Sequence, residues 1–259
     1  EKMSKMNHLL FIRSTLLGLF LAPFLFACNP SGTDLKTEKK DTLSSSMEGI
    51  EFKEDFELEE RTLVTSGRNP FFILEPGYVL EFAGMEGDDS LSLVITVLED
   101  TMKVGTTWTR VVEEREMENG ELVEISRNYF AIDLETRDVL YFGEEVDIYE
   151  DGVVTTHSGA WLAEGENKPG LIMPGSPVIG KAYYQEIAPG IAMDRAMIMD
   201  MDEKFVCPAG TFTQVLRTNE TSPLEPGSLS EKLYAPEIGL IMDGELNLVR
   251  YGLLDPSIP

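Results

Sequence analysis

The sequence predicts an all-β fold, a curved antiparallel sheet or open β-barrel built from hairpins. Short runs of β-branched and aromatic residues recur from Ile50 onward, and Gly, Asp, Asn and Pro separate them at turn spacing. No stretch of the body carries the apolar period of an amphipathic helix. At 259 residues the chain is long enough to bury a sizeable core, and no linker-like segment divides the body, so one domain is expected over 50–259.

The first half reads as three successive hairpins. Residues 78–83 and 91–98 flank Glu86-Gly-Asp-Asp89. Residues 108–117 and 122–132 flank Asn119-Gly120, and residues 138–149 and 153–162 flank Asp151-Gly152. Both dipeptides supply the positive φ angles of a type I′ turn. Residues 168–177 carry Pro169, Gly170, Pro174, Gly175 and Pro177 and read as a loop. Strands are expected to resume at 181–187, 195–202, 211–219, 231–235 and 246–251.

The N-terminus has the anatomy of an export signal. Lys2, Lys5 and Arg13 precede an apolar run from Ser14 to Ala27, which is short beside the ~20 residues of a membrane span. Leu25-Phe-Ala-Cys28 resembles the lipobox of bacterial lipoproteins, with the bulky Phe26 as its one departure. The resemblance implies a signal peptide over 1–27; Glu1 is an unusual first residue, and translation is expected to start at Met3 or Met6. The resemblance also implies that Cys28 becomes the lipidated first residue of the mature chain. Residues 28–49 are polar and aperiodic, as expected of a flexible tether. The expected location is the cell envelope, held by the lipid at the outer membrane and facing the periplasm, with surface display as the alternative.

The formal net charge of −25 excludes nucleic acid as a partner, since binding it requires lysine and arginine to neutralise phosphates. Once Cys28 is set aside, Cys207 is the single cysteine of the mature chain. Thiolate metal clusters are thereby excluded, and Cys207 is expected at the start of a turn. With His8 in the leader, His157 is the one mature histidine, too few for an imidazole metal site. No cofactor is expected.

Several stretches carry a further resemblance: Asn69-Pro-Phe-Phe-Ile-Leu-Glu-Pro-Gly77, Gly159-Ala-Trp161, Pro169-Gly-Leu-Ile-Met-Pro174, Tyr184-Gln-Glu186 and Lys232-Leu-Tyr-Ala-Pro236. Through them the body resembles a family of uncharacterised secreted bacterial β-sheet proteins. It is distantly similar to half-barrels of the lipoprotein-carrier type. The resemblance implies a curved sheet around apolar cargo and no particular activity.

Candidate ligand-binding residues are the strand aromatics Tyr141, Trp161, Tyr184 and Tyr234, together with Met197, Met199 and Met201. The methionines alternate along one strand and so share a face. Soft thioethers also suit copper(I), and the acidic hairpin from Glu144 to Asp151 offers hard oxygens for calcium. Glu186 and Asp194 are the candidate catalytic carboxylates, a general acid and base, with Arg195 placed to pair with either. The leading expectation is a non-enzymatic binding module for a hydrophobic or amphipathic ligand or an envelope partner. A carboxylate-based hydrolase and a copper- or calcium-binding protein are the alternatives.

Overall fold

A computed structural model describes residues 49–253. The leader, Cys28 and the tether up to residue 48 lie outside the described residues. A single 3-10 turn, Leu58–Glu60, and β1 (Leu63–Val64) lead into a small hairpin of β2 (Gly67–Asn69) and β3 (Phe72–Leu74). A five-strand meander follows: β4 (Tyr78–Glu86), β5 (Asp89–Val104), β6 (Thr107–Glu118), β7 (Glu121–Asp133) and β8 (Val139–Glu150). Three segments then return along β8: β9 (Val153–Thr156), β10 (Trp161–Leu162) and β11 (Lys168–Met173). After β12 (Ala182–Tyr184) and β13 (Glu186–Ile187), a second meander runs through β14 (Arg195–Cys207), β15 (Gly210–Ser222), β16 (Glu225–Ala235), β17 (Gly239–Asp243) and β18 (Leu246–Leu253).

The two meanders join where β18 pairs β4. The resulting antiparallel path of thirteen strands is a nearly closed barrel. Its two ends, β12 and β13, are successive pieces of one chain segment divided at Gln185. The first piece pairs β14, and the second pairs β11. On the free side of β12, Lys53 forms a parallel bridge to Tyr183, with backbone bonds to Ala182 and Tyr184, and this covers the seam.

Turn chemistry accounts for the meander. Asn119 and Gly120 have φ of 52° and 80°, and Asp151 and Gly152 have 51° and 75°, as type I′ turns require. The core is one continuous cluster running from Phe56 to Leu248 along the inner face of the sheet. The β2–β3 hairpin plugs one end of the barrel. Asn69, 1% exposed, ties it there by donating to the carbonyls of Arg137 and Met173 and accepting from the Phe71 amide.

Three expectations need correction. The loop expected at 168–177 contains strand β11, so proline and glycine are not turn punctuation here. Gly170 lies where β11 meets the segment carrying Gln185, and a Cβ there would collide with the Gln185 carbonyl. The third hairpin is shorter than expected, with β9 ending at Thr156 and Trp161 and Leu162 forming a separate strand. Strand β17 was missed, because a strand of five residues starting at a glycine carries little period-2 signal. Gly170→Ala is expected to destabilise the fold by about 2–3 kcal/mol through overpacking at the seam. The fall would appear as a lower urea midpoint with an unchanged slope; an unaltered midpoint would mean the seam is not tightly closed.

Candidate functional site

Alternation along the strands sends every second side chain inward, and the barrel is wide enough that these do not fill it. A cavity of about 830 Å³ runs through the lumen. Its deep end, against the β2–β3 plug, is walled by Phe72, Ile73, Tyr78, Val97, Val112 and Phe130. Leu91, Leu93 and Ile95 continue the apolar wall along β5.

The character changes toward the other end. On β6 the inward series runs Val112, Glu114, Glu116, so one strand passes from apolar to acidic in two steps. Glu116 stands directly opposite Glu124 of β7, an unfavourable pairing of like charges. Asp194, Glu220 and Asp243 add carboxylates from the facing wall. The hairpin tips at this end carry Glu86, Asp88 and Asp89, then Glu118 and Glu121, then Glu150 and Asp151, and finally Glu225 and Glu245. No lysine or arginine interrupts these tips.

Lys232 of β16 is the cation in the cavity wall, and its ammonium lies 3.3 Å from both Glu220 Oε2 and Asp243 Oδ2. Glu220 also accepts from Gln185 Nε2 at 3.0 Å and from Thr218 Oγ1 at 3.3 Å. Burial alone would lower the Lys232 ammonium, yet Asp243 and Glu220 hold it well above its usual value.

The charge of Lys232 also reaches Glu114, Glu116, Asp194 and Glu186, yet burial outweighs it and their titration is pushed upward. Burial raises Glu114 to about 7 and Asp194 to about 6. Glu116 is raised by burial and then by Glu124. Behind the wall, Glu144 and Glu186 are 2% and 1% exposed, and burial raises both, reinforced by Glu186 and Asp194 respectively. Among the described residues Asp243 Oδ1, on a side chain 10% exposed, has no hydrogen-bond partner.

The expected site residues divide clearly. Tyr141 and Tyr234 line the cavity. Tyr141 packs between Phe130 and Trp161, at 4.7 and 5.4 Å between ring centroids, and donates to Asn128 Oδ1. Trp161 is buried behind it and does not reach the cavity wall. Tyr184 lies at the seam beside Phe52, with their rings 5.9 Å apart. Met197 and Met199 join this outer cluster, whereas Ile198 between them is in the main core. A bulge between Ile198 and Asp200 breaks the alternation, so Met201 packs against the main core instead. None of the three methionines lines the lumen cavity.

Arg195 pairs with neither Glu186 nor Asp194 among the described residues; its Nε donates to Thr221 Oγ1, and its guanidinium lies 4.3 Å over the Phe52 ring. Asp194 lines the cavity while Glu186 is sealed behind it. Around the β8–β9 hairpin Asp147 pairs with Arg127 and His157, and Glu144 points inward. No cluster of His, Cys, Asp and Glu among the described residues is arranged to hold a metal ion. Sequence reasoning missed Glu114, Glu116, Lys232 and Asp243. The available signal was the run Val112-Glu-Glu-Arg-Glu116, where two acids share the face of a strand valine.

Carboxyls with raised values add stability that is complete below their unfolded values and lost as pH rises through the folded ones. For Glu114 that window runs from 4.5 to about 7, and for Asp194 from 3.8 to about 6. Acidification from about pH 8 to pH 5 is therefore expected to raise Tm by roughly 5 °C in scanning calorimetry. The Glu114→Gln/Asp194→Asn double variant should flatten this slope, and a Tm that falls over the same interval would contradict the assignment. No protein-family model, curated protein or solved structure matches the chain.

Proposed function

We propose that this chain is a cell-envelope lipoprotein whose barrel lumen holds a hydrophobic or amphipathic ligand without transforming it. The observation that carries the reading is the cavity itself, about 830 Å³ and apolar at its plugged end. Such a volume suits a ligand of drug or short-lipid size. A barrel built only for stability would fill this space with side chains, since each large apolar residue buried contributes about 1.5–3 kcal/mol.

The outer face fits a barrel standing in water. It carries cross-strand ion pairs such as Arg250–Glu81 and Arg127–Asp147, whereas a lipid-facing wall is an apolar band. No described helix is long and apolar enough to cross a membrane. Attachment through a lipid on Cys28 rests on the leader pattern. The hydrolase alternative requires a substrate to reach both Glu186 and Asp194, and the 1% exposure of Glu186 favours binding over catalysis.

The neutral probe N-phenyl-1-naphthylamine should bind saturably with blue-shifted emission. Leu93→Trp, which projects an indole into the lumen, should weaken it at least about tenfold while Tm holds within a few degrees. Absence of saturable uptake would refute a ligand-holding lumen. In cells fed labelled palmitate, Cys28→Ser should abolish incorporation; label retained in the variant would refute the anchor.

A further inference from the structure

We infer that the natural occupant of the lumen is an amphipathic organic cation, with its ammonium group among Glu114, Glu116 and Asp243 and its hydrocarbon body in the plugged end. This rests on the reading of the lumen as a ligand site and adds the chemical class.

The three carboxyls come from two separate strands. Glu114 and Glu116 stand on β6 and Asp243 on β17, four strands along the sheet, and all three line the same cavity. They sit above the apolar end, the separation an amphiphile inserted tail-first would match. Asp243 meets Lys232 through Oδ2 alone, so half of its carboxylate is left over. Its side chain is nine-tenths buried and lines the cavity, and its Oδ1 accepts no hydrogen bond. A buried acceptor left open is costly unless something donates to it.

Charge decides between ligand classes. An anionic amphiphile such as a fatty acid would need a cation at the same depth. Lys232 is already bridged to Glu220 and Asp243, so a further carboxylate would meet a net negative wall. A neutral alcohol would leave Glu114 and Glu116 with only a share of the charge of Lys232, whose ion pairs are to Glu220 and Asp243. An ammonium donates three hydrogen bonds and supplies the missing positive charge, and an amine on an alkyl chain also fills the apolar end.

The test is displacement of N-phenyl-1-naphthylamine from the full chain at pH 7 and fixed ionic strength by decylamine, decanol and decanoate, which share one tail. Decylamine should compete about tenfold or more better than decanol, with decanoate weakest. Its binding should release protons, read as a calorimetric heat that varies with the ionisation enthalpy of the buffer, whereas decanol should release none. In Glu114→Gln/Glu116→Gln the amine-to-alcohol ratio should fall toward one. In Leu93→Trp all three competitors should weaken together, which separates lumen binding from adsorption to the acidic surface. Decanol or decanoate matching decylamine, or a ratio that survives the double variant, would overturn the cation assignment while leaving a ligand-holding lumen intact. Failure of the probe and all three competitors to bind would overturn both.

Discussion

The architecture depends on one segment serving two neighbours. Residues 182–187 form hydrogen bonds to β14 with their first half and to β11 with their second, and Gln185 is the point of exchange. Without that exchange the sheet would have two open edges, each presenting unpaired backbone groups. The features around it follow: a glycine at 170 where the backbones nearly touch, Lys53 bridging the free side of β12, and Phe52 packed over Met197 outside. Gln185 also turns its side chain to Glu220 inside, so the seam and the polar layer of the lumen are held by the same residue.

Closure in turn creates the electrostatic problem of the interior. Carboxyls that would be unremarkable on an open sheet are held in a space where charge is costly, and their titration moves toward neutral pH. The molecule answers this in two ways. Around Lys232 it sets two carboxylates on one ammonium, and neutral donors from Gln185 and Thr218 serve Glu220, while Asp243 Oδ1 stays open. Along β6 burial wins instead, and Glu114 and Glu116 are pushed upward, with the charge of Glu124 adding to the rise at Glu116. Such local violations concentrate at functional positions.

The fold class and most of the meander were legible because they rest on local chemistry. Asn119-Gly120 and Asp151-Gly152 fix their own turns, and alternating apolar residues define the strands between them. The seam was not legible. Pro169 and Gly170 are turn formers by local rules, and only the distant Gln185 backbone explains a glycine inside a strand there. The methionine face failed for a related reason. The bulge after Ile198 changes which side of the sheet each residue faces, and a bulge leaves little trace in composition. Tyr141 and Tyr234 were found because inward aromatics are common in barrels. The lumen carboxyls were missed because a chain this acidic makes any single glutamate uninformative; what singles out Glu114 is enclosure, a property of the closed sheet.

The acid-tipped hairpins at the open end have a kinetic consequence. Five tips of one sign, with no basic residue among them, project a field beyond the barrel that is strongest along its axis. Cations arriving by diffusion are drawn toward the entrance, and anions are turned aside before any contact is made. The pull fades over about 8 Å at physiological ionic strength, so it acts on the last approach alone. For the proposed ligand, admission and retention would thereby be divided between different residues: the tips would govern how fast it enters, and the walls below how long it stays.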